Sequence, residues 1–134
     1  MAGSWLIKSE PSTYSFADLQ RDGSTRWDGV SNAAALIHLR GMTKGDPALF
    51  YHSGDQRAIV GIARIASQPY PDPALQDPKR VVVDLIPVRA LEQPISLGAI
   101  KGNPRLAQFP LVRISRLSVL PVLPEEWEQI FGLQ

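Results

Sequence analysis

Four short stretches of the chain couple an aromatic ring to hydrogen-bonding side chains: Trp5-Leu6-Ile7-Lys8-Ser9-Glu10-Pro11, Trp27-Asp28-Gly29-Val30-Ser31-Asn32, Phe50-Tyr51-His52-Ser53-Gly54 and Tyr70-Pro71-Asp72. Each falls where strand-like sequence gives way to a turn. Building a fold does not by itself call for that combination four times. A pocket for a flat polar ring does, because such a ring needs faces to stack on and edges to read. Stacking on an aromatic side chain contributes ~1–3 kcal/mol per base. Nucleobase binding is therefore the first chemistry these residues indicate.

Within the second stretch, Gly29 permits an abrupt turn and Ser31 is placed to cap a helix, so first-turn backbone N–H groups can face a ligand. Asn32 brings a donor and an acceptor, and Trp27 a stacking plane. The alternative is that Trp27 covers the core while Asn32 caps a turn, and the residues alone leave both open. In the third stretch Tyr51 and Ser53 share one strand face and His52 the other. Only one of Tyr51 and His52 can then line an interior site without a bulge, and a lone histidine is more often structural; His38 reads the same way. Ser9 and Glu10 can bond a ring's polar edge, or Lys8 and Glu10 can form a surface ion pair of little worth. Tyr70-Pro71-Asp72 also reads as a simple turn, and Asp84 as a buried acid between Val82 and Ile86.

Signatures of catalysis are missing. There is no G-x-G-x-x-G, phosphate loop or G-x-S-x-G, and two histidines with no cysteine make poor material for a metal site. No cofactor is expected. His52, Ser53 and Asp55 crowd one strand and cannot form a nucleophile–base–orienter set alone. The net charge of +1 is a weak footprint for gripping duplex DNA. Between Glu92 and Glu125, however, there is no acid, while Lys101, Arg105, Arg113 and Arg116 all fall there. They are candidate phosphate contacts, against the plainer reading of a solvated surface.

These groups must be held by a single domain over residues 1–134, a length that buries roughly two-thirds of the unfolded surface. No apolar run approaches the ~20 residues of a membrane span and no signal-peptide core is seen, so a soluble cytoplasmic protein is expected. Strands are expected over 5–10, 47–53, 58–66 and 80–91, with Pro87 marking an edge or bulge. Helices are expected over 16–21 capped by Ser15, over 32–40 capped by Ser31, from Ser96 to Lys101, and from Pro124 through Phe131. Residues 68–78, with four prolines, read as a loop, and 111–122 as extended. Strands interrupted by short helices predict an α+β fold, a small mixed β-barrel.

The same stretches, together with Ile59-Val60-Gly61, Val83-Asp84 and Pro94-Ile95-Ser96-Leu97, resemble in order the EVE domain, a branch of the PUA-like superfamily that includes the thymocyte nuclear protein family. The resemblance is continuous from Trp5 to about Phe131. It implies a PUA-like barrel flanked by short helices, and a cleft for a nucleobase lined by Ser9, Glu10, Trp27, Asn32, Tyr51, His52 and Ser53. It implies also a partner nucleic acid, DNA or RNA, carrying a modified base such as a modified cytosine. One departure stands out. Where the family often continues with arginine, asparagine and a Tyr-Gln-Ala-Arg-Asn-like run, this chain has Ser31, Asn32 and Ala33-Ala34-Ala35-Leu36-Ile37. Stacking area, charge and hydrogen bonding are lost there, so a shifted specificity or weaker grip is expected.

The leading expectation is a non-catalytic reader of a modified base, one already unpaired, or flipped with the help of a partner module. A hydrolase acting on modified nucleosides, with Lys8 and Glu10 as base and acid, is the alternative. A protein-interaction module with a vestigial cleft is the third.

Overall fold

The structure, a computed structural model, describes residues 3–134. Among the described residues seven strands form one sheet: β1 (Trp5–Ser9), β2 (Thr25–Trp27), β3 (Pro47–His52), β4 (Ala58–Ile65), β5 (Tyr70–Pro71), β6 (Val81–Ser96) and β7 (Val119–Pro121). The order is β2-β6-β4-β3-β1-β7, with β5 pairing the start of β6. Only β1 and β3 run parallel; every other pairing is antiparallel, so the sheet is mixed. It curls into a half-barrel. Trp27 on β2 and Phe50 on β3 are separated by two strands, yet their rings meet edge to face at 5.7 Å across the concave side.

Parallel register sets the faces. Ile7 opposes Phe50 and Ser9 opposes His52, which puts these four on the concave side, while Lys8 opposes Tyr51 on the convex side. Helix α1 (Phe16–Asp22) covers the concave side. The Phe16 ring lies on Gly61, where any Cβ would come within 2.6 Å of the ring, so this close approach requires glycine. Phe16 also meets Phe50 edge to face at 5.3 Å.

The remaining helices are α2 (Ala33–Arg40), α3 (Leu97–Lys101), α4 (Pro110–Arg113) and α5 (Pro124–Phe131), with a 3-10 turn at Pro104–Leu106. Ser15 caps α1 as expected and forms a reciprocal box with Asp18. Helix α2 departs from expectation: Asn32, not Ser31, is its cap, its Oδ1 accepting from Ala35 N at 3.1 Å. The span 111–122, expected to be extended, is helical at its start. Pro110 opens a short helix because its missing N–H is no loss at a first turn. Strand β6 outruns its expected end and continues through Pro94 to Ser96. Pro87 is tolerated because β2 pairs only Val83–Leu85, leaving that side of β6 without a partner beyond them, and the β4–β6 register shifts beside it.

Candidate functional site

A cleft of about 400 Å³ opens at the C-terminal end of β1, between that strand, the connection into α1, and β2. Its walls are Lys8–Glu10, Thr13 and Tyr14 on one side and Thr25–Asp28 on the other. The volume is within the range of small-ligand sites. A second, shallower hollow of about 270 Å³ shares Lys8, Trp27 and Asp28 with it and continues past Gly29 to Asn32 and Ser118. Trp27 and Asp28 thus form a ridge between two lobes.

Local hydrogen bonds explain why these side chains converge. Thr13 N and Tyr14 N both donate to Glu10 O at 2.9 Å, folding the chain back on itself after β1. Ser9 Oγ donates to Tyr14 O, fastening that turn to the sheet. The first amide of α1, Phe16 N–H, donates to His52 Nε2 at 3.0 Å. Because Nε2 accepts, His52 carries its hydrogen on Nδ1, which donates to Gln56 Oε1 at 2.8 Å. Tyr14 is thereby presented to Trp27, edge to face at 6.4 Å, and its hydroxyl donates to Asp22 at 2.9 Å. Trp27 is partly buried. Its ring packs on Phe50 and Tyr14 within the barrel and also walls the cleft.

The polar rim has both signs. Glu10 is exposed, accepts from Ser12 Oγ at 3.2 Å, and rests against Gly54 in the β3–β4 turn. At Gly54 the backbone φ of 76° favours glycine, and a Cβ there would displace the Glu10 carboxylate, 2.5 Å away at Oε2. Lys8 is partly buried; its Nζ donates to Ser115 O at 2.9 Å and lies 5.9 Å from the Tyr51 ring centre. Burial holds the Lys8 ammonium below the usual lysine range. Burial and the adjacent Asp22 carboxylate push the Tyr14 hydroxyl up.

Of the seven residues expected around a base, the structure brings Ser9, Glu10 and Trp27 to the cleft and Asn32 to the adjoining hollow. The oxygen of Asn32 is engaged by its own helix, leaving only its amide N–H₂ to offer. Tyr51, His52 and Ser53 line neither lobe. Tyr51 is 3% exposed and His52 8%, and His52 spends both ring nitrogens on the protein. Ser53 donates its backbone N–H to Ser9 O at 2.9 Å. His52 and Ser53 thus brace the start of α1 and the end of β1, while Tyr51 packs on the convex side beside Lys8. Sequence reasoning missed Thr13, Tyr14, Thr25 and Arg26 as lining residues, and named Asp28 only as part of a stretch. For Tyr14 a signal existed: an aromatic residue immediately before the Ser15 cap, five residues after Ser9.

The four candidate phosphate contacts are exposed. Arg113 ends α4 and Arg116 follows it, in the segment whose Ser115 carbonyl holds Lys8 and whose Ser118 lines the second lobe. Lys101 ends α3 beside Arg57 and the β3–β4 turn, and Arg105 sits in the 3-10 turn. Tyr70 and Asp72 serve structure: Tyr70 donates to Asp84 at 2.6 Å, and Asp72 accepts from Ala74 N at 2.9 Å as a turn. Among the described residues no group of three His, Cys, Asp or Glu could hold a metal ion, and no helix is long and apolar enough to cross a membrane.

A mixed half-barrel with short helices over its faces, and a cleft where its first two strands approach, defines a PUA-like architecture. The EVE domain family model matches residues 3–133, and the chain belongs to that family. It is 35% identical to rat thymocyte nuclear protein 1, over 97% of this chain and 73% of that protein's length. Among solved structures it is similar to Rpa0253 from Rhodopseudomonas palustris, at 42% identity and a TM-score of 0.93, covering 98% of this chain and 92% of that one. It is similar also to human THYN1 crystallised in complex with 5-methylcytosine-containing DNA, at 31% identity and a TM-score of 0.88, covering 98% of this chain and 97% of that one.

Proposed function

We propose that this chain is a single binding module that reads a modified base in nucleic acid, taking the base into the cleft between β1 and β2 without transforming it. The observation that carries the reading is the convergence of Trp27, Tyr14, Lys8, Glu10 and Asp28 on one cleft of ligand size, in a relative of a protein crystallised with 5-methylcytosine-containing DNA. Trp27 supplies the stacking surface. Glu10 and Asp28 accept hydrogen bonds from an exocyclic amine, and Lys8 donates to a ring acceptor or carbonyl.

The Lys8 ammonium, held by the Ser115 carbonyl, is placed to donate rather than to abstract a proton. Arg26 in the cleft wall meets phosphates at its mouth, and of the four candidate cations Arg113 and Arg116, on the segment that carries Ser115 and Ser118, contribute more than Lys101 and Arg105. A net charge of +1 leaves little non-specific grip, so a base already unpaired, or flipped with help, is preferred over one stacked in duplex.

The test is an affinity comparison using oligonucleotides that differ at one position, cytosine or 5-methylcytosine, each as single strand and as duplex. The reading expects the methylated single strand to bind best. Equal affinity for all four, or turnover of the modified base, contradicts it.

A further inference from the structure

A largely apolar hollow lies away from the base cleft. It is about 600 Å³ and sits at the N-terminal end of β1, between Trp5, Pro47 and the β7–α5 junction, with Trp127 as its far wall. Leu123, 52% exposed, stands at its rim. The base cleft opens at the other end of the same five-residue strand, about 13–17 Å away at the ~3.3 Å rise of a strand. The two sites can be filled together.

What the groove can recognise follows from which polar groups it leaves free. Trp5 Nε1 is spent on Asp46 at 2.9 Å, so this indole offers only its ring. Val122 N donates to Ser4 O at 2.8 Å, Ser4 Oγ to Val122 O at 2.7 Å, and Leu123 N to Glu126 at 2.9 Å. Pro47, Pro121 and Pro124 have no N–H at all. Among the described side chains at the groove, the Trp127 indole N–H and the Glu128 carboxylate have no hydrogen-bond partner, on a helix that also exposes Glu125 and carries no base. Trp127 is steadied by Phe131, whose ring is 5.2 Å away.

A fitting occupant must bring apolar rings that stack on tryptophan and proline, backbone carbonyls for one indole donor, little need for acceptors of its own N–H groups, and a cation. A proline-rich segment in polyproline II form meets all four conditions when it carries an arginine or lysine. We propose that this groove is a docking site for a proline-rich basic peptide of a partner protein. The inference stands independently of the base-reading proposal.

The test uses isotope-labelled protein titrated to about 2 mM with three probes: octaproline bearing one arginine, octaproline bearing one aspartate, and a Gly-Ser peptide bearing one arginine. The arginine-octaproline should move the Trp127 indole N–H resonance and leave that of Trp27 in place. The aspartate version should bind about 2–5-fold more weakly, and the Gly-Ser peptide not measurably. Trp127→Phe, which keeps a ring and removes the donor, should weaken binding about 2–10-fold, and Glu128→Gln about 2–5-fold, both in folded protein. The proposal is overturned by no shift at the highest concentration, by equal binding of all three probes, by Glu128→Gln without effect, or by groove resonances that move with protein concentration alone, which would make the occupant a second copy.

Discussion

Replacing Trp27 with alanine should weaken the fold and the cleft by separate, measurable amounts. The ring is more buried than not, packed edge to face on Phe50 at 5.7 Å and Tyr14 at 6.4 Å. If roughly 150 Å² of it is withdrawn from water at ~25 cal/mol per Å², the loss is about 3–4 kcal/mol, as for other buried aromatic truncations. The vacated volume opens onto the cleft and fills with water, so no sealed void adds to this. A domain with ~5–15 kcal/mol of stability stays folded near room temperature. Binding is then measured below the melting transition, where loss of one stacking surface should weaken a modified-base oligonucleotide about 5–150-fold. Trp27→Phe should keep much of both. Denaturant unfolding gives the first quantity and fluorescence anisotropy the second. Stability lost with binding unchanged would make Trp27 a core residue only. Binding lost with stability unchanged would mean the packing on Phe50 carries no energy.

The other predictions follow from single contacts. Gly54→Ala puts a side chain at φ 76° and displaces the Glu10 carboxylate, and should cost about 1–2 kcal/mol in denaturant unfolding while weakening base binding. Ser15→Ala removes half of the α1 capping box and should cost about 1 kcal/mol, read the same way. Burial pushes the Tyr51 hydroxyl up from its ordinary value near 10, so the folded protein holds that proton more tightly than the unfolded chain. Stability from this group is complete below pH 10 and lost as pH climbs through the raised value; Tyr51→Phe should remove that part of the alkaline decline in a pH series of melting curves. Removing Arg113 and Arg116 together should flatten the slope of log K against log salt by roughly 1.4–1.8, while removing Lys101 and Arg105 should change it less.

Much of this architecture is legible from residue order. The runs in β1, β3 and β4, the Ser15 cap and the Pro124 start of α5 each carry a local signal, and the structure follows them. Strand β2 carries none. Three residues, Thr25–Trp27, are too few for periodicity, and their pairing with Val83–Leu85 some 58 positions away is a tertiary event. The Asn32 cap was hidden because Ser31 and Asn32 are both good caps and only the packing of Ala35, Leu36 and Leu39 chooses between them. Tyr51, His52 and Ser53 were drawn to the site by residue type, yet register turns His52 toward the Phe16 amide and Tyr51 to the convex side. Residue type drew Ser9, Glu10 and Trp27 to the walls of one cleft; the choice between lining it and bracing its surroundings is made by hydrogen bonds that no linear spacing encodes.

In the proposed function the base is received in the cleft between β1 and β2, against Trp27 and Tyr14. Titrating labelled protein with a short single-stranded DNA bearing one 5-methylcytosine tests it directly. The account predicts saturable shifts of the Trp27 indole N–H and of the Lys8–Glu10 and Tyr14 amides, with the Trp127 indole unmoved. Shifts gathered on α3, α5 or the apolar groove, with Trp27 silent, would contradict it.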